Sequence, residues 1–445
     1  MFEIREKPSM VERAMLVSIC LPGDNVHEKQ AMLDELEDLV SNLGIGIVRK
    51  ELVRTRDVHA KFLCGTGKAE EVRMAAIAAE ADCVVFDNML APSQQREWER
   101  LIDVCVIDRE EVILDIFAKR ARTREATMQV ELARMQYSLP RMARMWAHLD
   151  RQGGGSGGGK GGGGASRGEG EKQIEVDRRL ARARIESIQK DLEEVRKQRS
   201  TQRKERERQG VPTAAIVGYT NAGKSSLLRL VAEADVLAQN ILFATLDTTT
   251  RKIELPDGQP LLLTDTVGFI RNLPHRLVEA FKSTLEEAVL ADFLIQVVDA
   301  SDPEALRHFE TTLEVLAELG AADKPMVAVF NKTDLIPDKE RASVIETLTA
   351  AVGIPVVPMS VVREQGADSL MNACVDMLSH RVVSRTYRIP LSRSDIIATM
   401  HRDGKVLSTE YDGNDALVTA TLPKSFAQKI ASYAEPGGEH WPTPV

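Results

Sequence analysis

No stretch of this 445-residue chain is apolar for long enough to span a bilayer, and Met1-Phe2-Glu3-Ile4-Arg5 has no signal-peptide character. These two absences set the expectation of a cytoplasmic protein without a transmembrane segment. Cysteine is sparse as well. Cys20, Cys64, Cys83, Cys105 and Cys374 are odd in number, scattered, and mostly set within apolar runs. Neither a disulfide framework nor a zinc site is built that way, so reduced thiols are expected. The eight histidines form no H-x-x-x-H pair, which excludes a transition-metal site of that kind and leaves structural or surface roles for all of them. Positive charge is short overall, with a net charge of −9, except in one place. Residues 119–210 hold 23 Lys and Arg against 13 Asp and Glu, a surplus of ten, so the remainder carries −19. A basic segment in an acidic chain points to a polyanion, nucleic acid first, against the plainer alternative of a solvated helical surface.

The chain is too long for one hydrophobic core and suggests three or four domains. Ala14–Cys20, Ile45–Val48, Cys83–Phe86 and Val104–Ile107 are the expected strands of the first part, and Leu33, Leu36, Val40 and Leu43 mark one face of a helix. This alternation predicts a small α/β domain with a largely parallel sheet over residues 1–112. Within it Gly65-Thr66-Gly67-Lys68 admits two readings: a strand-to-helix turn, or a truncated phosphate loop for a second nucleotide.

From Glu110 to Arg208 the pattern turns helical. Met128, Leu132, Met135, Leu139 and Met142, then Ile185, Ile188, Leu192 and Val195, recur at intervals of three and four. Between these runs, residues 153–170 are dominated by glycine and form no packed element. An antiparallel helical hairpin over 113–210 with a glycine-rich tip is expected, each arm about 45–50 Å long at 1.5 Å per residue. Pro140 should interrupt the first arm. Arg178, Arg179, Arg182 and Arg184 place cations along the second, and Lys160 and Arg167 place them at the tip. A linker between domains is the other reading of the glycine stretch.

Three motifs then follow in order. Gly218-Tyr219-Thr220-Asn221-Ala222-Gly223-Lys224-Ser225 fits G-x-x-x-x-G-K-[ST], between strand-like Ala214–Val217 and helix-like Ser226–Leu230. Its glycines let backbone N–H groups converge on phosphate oxygens, and the helix N-terminus adds partial positive charge. Lys224 supplies a cation for the β- and γ-phosphates and Ser225 a hydroxyl for Mg²⁺. Leu261–Thr264 leads into Asp265-Thr266-Val267-Gly268, a D-x-x-G in which Asp265 would hold magnesium through water and the Gly268 N–H would meet the γ-phosphate. Phe293–Asp299 and Met326–Phe330 are further core strands, the second running into Asn331-Lys332-Thr333-Asp334. A carboxylate at Asp334 accepts from the N1–H and 2-amino group of guanine, donors that adenine lacks there, so this N-K-x-D selects GTP over ATP. Asn331 would position the loop and the Lys332 stem would lie along the ring.

Together with Phe243-Ala244-Thr245-Leu246-Asp247 and the run from Asp265 to Ile270, the phosphate loop resembles the HflX family of translation-factor-class GTPases. The likeness extends through Arg271–His275 and Ala280–Glu286, and outside this region through Asp115-Ile116-Phe117, Gln129–Leu132, Leu139-Pro140-Arg141 and Asp177-Arg178-Arg179. The resemblance implies a GTPase that binds the large ribosomal subunit through rRNA and ribosomal protein, separates stalled or idle ribosomes, and places the hairpin tip near the peptidyl-transferase centre. It puts the first switch threonine at Thr245, with Thr248, Thr249 and Thr250 as competitors, and makes Lys224, Thr245 and Gly268 the catalytic set. Ser225, Thr245 and, through water, Asp265 become the metal ligands. Ser360-Val361-Val362 stands where the last guanine-binding motif usually reads S-A-x; a backbone N–H there can meet guanine O6, but Val361 is bulkier than alanine. Phe269 follows Gly268 where Ras-type GTPases carry glutamine, so slow intrinsic hydrolysis completed by a ribosomal partner is expected. Asn221 resembles an asparagine of potassium-stimulated GTPases, which makes K⁺ a candidate second cation; a simple loop cap is the alternative.

Residues 381–445 show short alternating runs, Arg385–Ile389 and Ala416–Ala420 among them, and no catalytic constellation. The expected architecture is therefore α/β. A P-loop GTPase domain (211–380) is joined to an N-terminal α/β domain, a helical hairpin and a small C-terminal α+β domain, in a monomer that binds GTP and GDP. The competing reading is a nucleotide-dependent RNA-binding or ribosome-assembly factor with RNA-remodelling activity in its N-terminal domain.

Overall fold

The computed structural model describes residues 11–141, 165–209, 211–232, 243, 248–272 and 282–439. They form two compact units. The first runs through Gln202 and also takes in Phe243, Arg271, Asn272, Lys282 and Ser283; the second holds the rest.

The first unit opens with β1 (Arg13–Cys20), α1 (Val26–Asn42), β2 (Gly46–Arg54), α2 (Thr66–Ala78), β3 (Cys83–Phe86), α3 (Pro92–Ile102), β4 (Cys105–Asp108) and α4 (Arg109–Arg120). Its strands pair in the order β2-β1-β3-β4, all parallel. Every residue of β1 after Arg13 is buried, as a central parallel strand covered on both faces requires. The helix pattern holds in α1, where Leu33, Leu36 and Val40 face the core and the Asn25 side chain accepts from the His27 N–H at 2.9 Å. Around Gly65 only the helical half of the expected turn is present. Phe62–Cys64 is not a strand, because Leu63 has a φ of 62° and donates its N–H back to the His59 carbonyl. Lys68 pairs with Glu71 at 2.6 Å on the surface of α2.

The helical pattern beginning at Glu110 resolves into separate helices. At Ala121 the backbone leaves the helix with ψ of 118°, and the Thr123 hydroxyl caps the next one by accepting from the Ala126 N–H at 3.2 Å. That helix, α5 (Arg124–Ser138), gives way at Pro140 to a single 3₁₀ turn, Leu139–Arg141. The Gly153–Gly164 part of the glycine stretch lies outside the described residues, and α6 (Ala165–Gln209) begins within its remainder. At 15 and 45 residues the two helices measure about 22 and 68 Å, unequal over the described residues. They join through Met128, Leu132, Ile188 and Leu192, with Glu131 accepting two bonds from Arg184 at 2.8 and 3.0 Å. Arg179 and Arg182 are exposed on α6.

Arg141 explains the Leu-Pro-Arg signature. Its buried guanidinium donates to Gln95 Oε1 (2.9 Å), the Tyr137 carbonyl (3.1 Å) and the Leu90 carbonyl (2.7 Å), and lies 3.4 Å from Asp108. Burial raises the Asp108 pKa, and the Leu90 N–H and Arg141 work against that rise.

The second unit contains β5 (Thr213–Gly218), α7 (Lys224–Ala232), β6 (Thr249–Glu254), β7 (Pro260–Asp265), α8 (Lys282–Leu290), β8 (Phe293–Asp299), α9 (Ala305–Glu318), β9 (Met326–Asn331), α10 (Asp338–Val352), β10 (Val356–Pro358) and α11 (Ala367–Leu378). The sheet order is β10-β9-β8-β5-β7-β6, parallel except for β6. Strands β5, β8 and β9 are buried along nearly their whole length, so the loops at their C-terminal ends grow out of the rigid centre of the sheet. A second sheet, antiparallel, is built from β11 (Val382–Pro390), β12 (Lys405–Asp412), β13 (Asp415–Pro423) and β14 (Ala434–Glu439), with α12 (Ser394–Asp403) packed on it.

Replacing Arg141 by methionine leaves Asp108 buried without its cation, a loss of about 3 kcal/mol. Hydrogen exchange should then show the amides of β4 and α5 about a hundredfold less protected, while those of β8 and β9 keep their protection. Unchanged protection in β4 would contradict the anchoring role.

Candidate functional site

The three motifs meet at the C-terminal edge of the second unit's parallel sheet. β5 ends at Gly218 and α7 begins at Lys224, so the loop between them faces a helix N-terminus. Gly218, with φ of 139°, passes so close to β8 that a Cβ would strike the Val297 carbonyl oxygen. Gly223, with φ of 101°, lies where a Cβ would strike the Asn331 carboxamide. Asn221 adopts φ of 58°, a left-handed conformation asparagine tolerates well, and its side chain is exposed. Tyr219 and Thr220 are buried. The loop is stitched to the residue after D-x-x-G: Thr220 N–H donates to the Phe269 carbonyl at 2.7 Å, and Phe269 N–H donates to the Gly218 carbonyl at 3.1 Å.

Lys224, Ser225, Asp265 and Gly268 converge here. Lys224 Nζ donates to the carbonyls of Gly218 (3.0 Å) and Tyr219 (2.7 Å), and a Cβ on Gly268 would lie 3.0 Å from it. Burial pushes the Lys224 pKa down to about 8, while the Asp265 charge pulls the other way. Ser225 Oγ donates to Asp265 Oδ2 at 2.6 Å, and Thr266 Oγ1 donates to the Ile216 carbonyl at 2.7 Å, which pins the end of β7 to β5. Val267 is buried beside them. A buried hydroxyl and carboxylate make an oxygen-only donor set, suited to a hard divalent cation such as Mg²⁺ rather than to zinc. The Phe269 side chain is buried and apolar, with nothing to orient a water molecule.

Ala244, Thr245, Leu246 and Asp247 lie outside the described residues. Phe243 is described, in the first unit: its ring meets Phe117 edge-on, 4.7 Å between centroids, and is buried there rather than offered to a ligand. Its φ of 53° is unusual for so bulky a residue. Also in the first unit, Arg271 lies 3.7 Å from Glu35, which pairs with Arg109 as well.

The N-K-x-D side is equally ordered. Asn331 Nδ2 donates to the Ala222 carbonyl at 2.9 Å, and its Oδ1 accepts from the Val361 N–H at 3.1 Å. Thr333 Oγ1 donates to the Met359 carbonyl at 2.9 Å. Asp334 Oδ1 accepts from Ser360 Oγ at 2.6 Å, an orientation for the carboxylate. The Val361 side chain packs against the core holding Met359 and Cys374, so the extra bulk turns inward, whereas Val362 is 84% exposed. Two residues outside every motif also belong to this neighbourhood. Asp299, at the end of β8, pairs with Lys332 at 2.7 Å, and His308 stacks on Tyr219. Asp299 was visible only as the end of a strand, and an isolated histidine carries no sequence signal at all.

Family models for the N-terminal region of GTP-binding GTPases, for their middle region and for 50S ribosome-binding GTPases match residues 30–118, 120–206 and 213–332 in turn. A GTPase HflX of Akkermansia muciniphila is 73% identical over 433 residues, which cover 97% of this chain and 99% of that protein. A GTPase HflX of Lacrimispora saccharolytica is 40% identical over 435 residues (98% and 99%), and one of Escherichia coli is 43% identical over 387 residues (85% and 86%).

A lysine with a depressed pKa is charged below that value and neutral above it, and bound phosphates favour the charged form. Affinity for GDP should therefore weaken by about tenfold from pH 7 to pH 9, with about one proton taken up per nucleotide bound at the upper end. Titration calorimetry in buffers of different ionisation enthalpy measures both. A flat affinity over this range would contradict a buried, phosphate-directed Lys224.

Proposed function

This chain belongs to the HflX family of GTPases, and from that premise we propose that it is a GTP-driven switch acting on the large ribosomal subunit, releasing stalled or idle ribosomes. It hydrolyses GTP to GDP and phosphate. The observation that carries the reading is the Asn331 carboxamide, bonded to both Ala222 and Val361, which holds a guanine-selective loop at a fixed distance from a phosphate loop. In this reading Asp334, aligned by Ser360, takes the guanine edge. Lys224 leaves the carbonyls of Gly218 and Tyr219 for the β- and γ-phosphates, and the Gly268 N–H meets the γ-phosphate. Ser225, Asp265 through water, and Thr245 would hold Mg²⁺, which when bound neutralises charge on the phosphates. Asn221 is the candidate K⁺ contact.

Hydrolysis needs a positioned water, and Phe269 supplies no group for it, so the intrinsic reaction is slow and the partner completes the site. The match of residues 213–332 to the family of 50S ribosome-binding GTPases supports the 50S subunit as that partner. The exposed arginines Arg179 and Arg182 on α6 suit an RNA backbone in the same way. GTP would order the Thr245 and Gly268 segments, and hydrolysis would release them.

Lys224→Ala should abolish GTP binding, read by fluorescent-nucleotide titration. Wild-type protein should co-sediment with large subunits with a non-hydrolysable GTP analogue and fall away with GDP; equal sedimentation in both would count against the switch. Turnover should be faster in KCl than in NaCl of equal ionic strength, and equal rates would remove potassium from the mechanism.

A further inference from the structure

His308 belongs to no motif, yet the phosphate loop leans on it. It lies in the first turn of α9, 9% exposed, with its ring flat on that of Tyr219: centroids 3.8 Å apart and planes 11° from parallel. Tyr219 is the second residue of the phosphate loop and is itself 6% exposed. Its carbonyl accepts from Lys224 Nζ at 2.7 Å, and its backbone forms a parallel bridge with Phe269, the residue after Gly268. With Lys224 turned to the phosphates the bridge remains, so a tilt of Tyr219 would move the Gly268 segment assigned to the γ-phosphate.

On its other side His308 faces the turn leaving β8. Its Nδ1 is 3.7 Å from Asp302 Oδ2, and Asp302 Oδ1 accepts from the Glu304 N–H at 2.8 Å. The turn starts at Asp299, whose Oδ1 accepts from Ser301 Oγ at 2.6 Å while Oδ2 pairs with Lys332 of N-K-x-D at 2.7 Å. α9 is fixed to the sheet by Gln296, which donates to the Phe309 carbonyl at 2.9 Å, and Thr312 Oγ1 donates to the His308 carbonyl at 2.9 Å. His308 thus links the phosphate loop to the β8–α9 turn, whose first residue, Asp299, pairs with Lys332.

We propose that His308 is a positioning residue for GTP hydrolysis, bracing Tyr219 so that the Gly268 segment keeps its place as the γ-phosphate departs. The inference rests on the nucleotide reading of this site. It acts through Tyr219 and needs a flat ring, because only a ring face covers the whole of the tyrosine face; a branched aliphatic chain of similar volume touches part of it.

The test uses the full-length protein, single-turnover GTP hydrolysis and fluorescent-GDP affinity. His308→Leu should lower the hydrolysis rate about tenfold and leave GDP affinity within about twofold, whereas His308→Phe should recover to within about twofold of wild type. Tyr219→Leu approaches the contact from the other side, and serves if His308→Leu folds poorly. Its loss should match that of His308→Leu, and the double variant should be no slower than either single one. Wild-type hydrolysis by the leucine variant, a phenylalanine variant as slow as leucine, or parallel losses of rate and GDP affinity would each overturn the proposal. Failure of the wild-type protein to bind GDP would instead remove the nucleotide reading beneath it.

Discussion

One side chain holds the nucleotide site in register. The buried carboxamide of Asn331 donates to Ala222 in the phosphate loop and accepts from Val361 in the last loop, while its own backbone belongs to the end of β9. Each of those two backbone groups, left without its partner in the interior, would lose about 1–3 kcal/mol. The same carboxamide occupies the space in which a Cβ on Gly223 would stand, so the glycine of one motif and the asparagine of another answer a single steric demand. The separation between the N-K-x-D loop and the phosphate loop is therefore set by a shared side chain instead of by the stiffness of three loops. A nucleotide bound as proposed would meet groups already placed, and less of the interaction would be lost to ordering them.

Electrostatics follow the same rule of internal satisfaction. Lys224 is desolvated, and its donors rest on two loop carbonyls while Asp265 supplies an opposing charge. In the first unit Arg109 pairs with Asp87 at 2.8 Å and with Glu35, and Arg141 meets four acceptors. Buried cations of this kind fix geometry well, because breaking any one contact leaves a charge without compensation.

Much of this was legible in the chain. Periodicity located β1, β3, β4 and the apolar face of α1, since a two-sided buried strand and an amphipathic helix have distinct signatures. The phosphate, D-x-x-G and N-K-x-D motifs were legible because each needs particular residue types at fixed spacing. Where the reading stopped short, the cause was tertiary. An unbroken helical pattern from Glu110 hid the cap at Thr123, because a cap is one residue against a long periodicity. Phe243, expected at the nucleotide by its neighbours in the motif, has its ring buried against Phe117, a partner over a hundred positions away. Asp299 and His308 owe their positions to the β8–α9 turn, and no local pattern announces a contact made across a sheet edge.

The placement of Phe243, Arg271 and Asn272 bears on how the molecule can be divided. A cut near residue 211 looks natural from composition, since it separates the basic helices from the motif-bearing region. Yet Phe243 packs against Phe117, Arg271 meets Glu35, and Asn272 Nδ2 donates to Met32 Sδ at 3.8 Å, all within the first unit. A fragment excised at that boundary would carry away a large ring and a guanidinium stripped of their supports, next to Thr245 and Gly268 in the chain. Its kinetics would describe a truncated molecule with loosened flanks, whereas a piece that keeps the first unit keeps those supports.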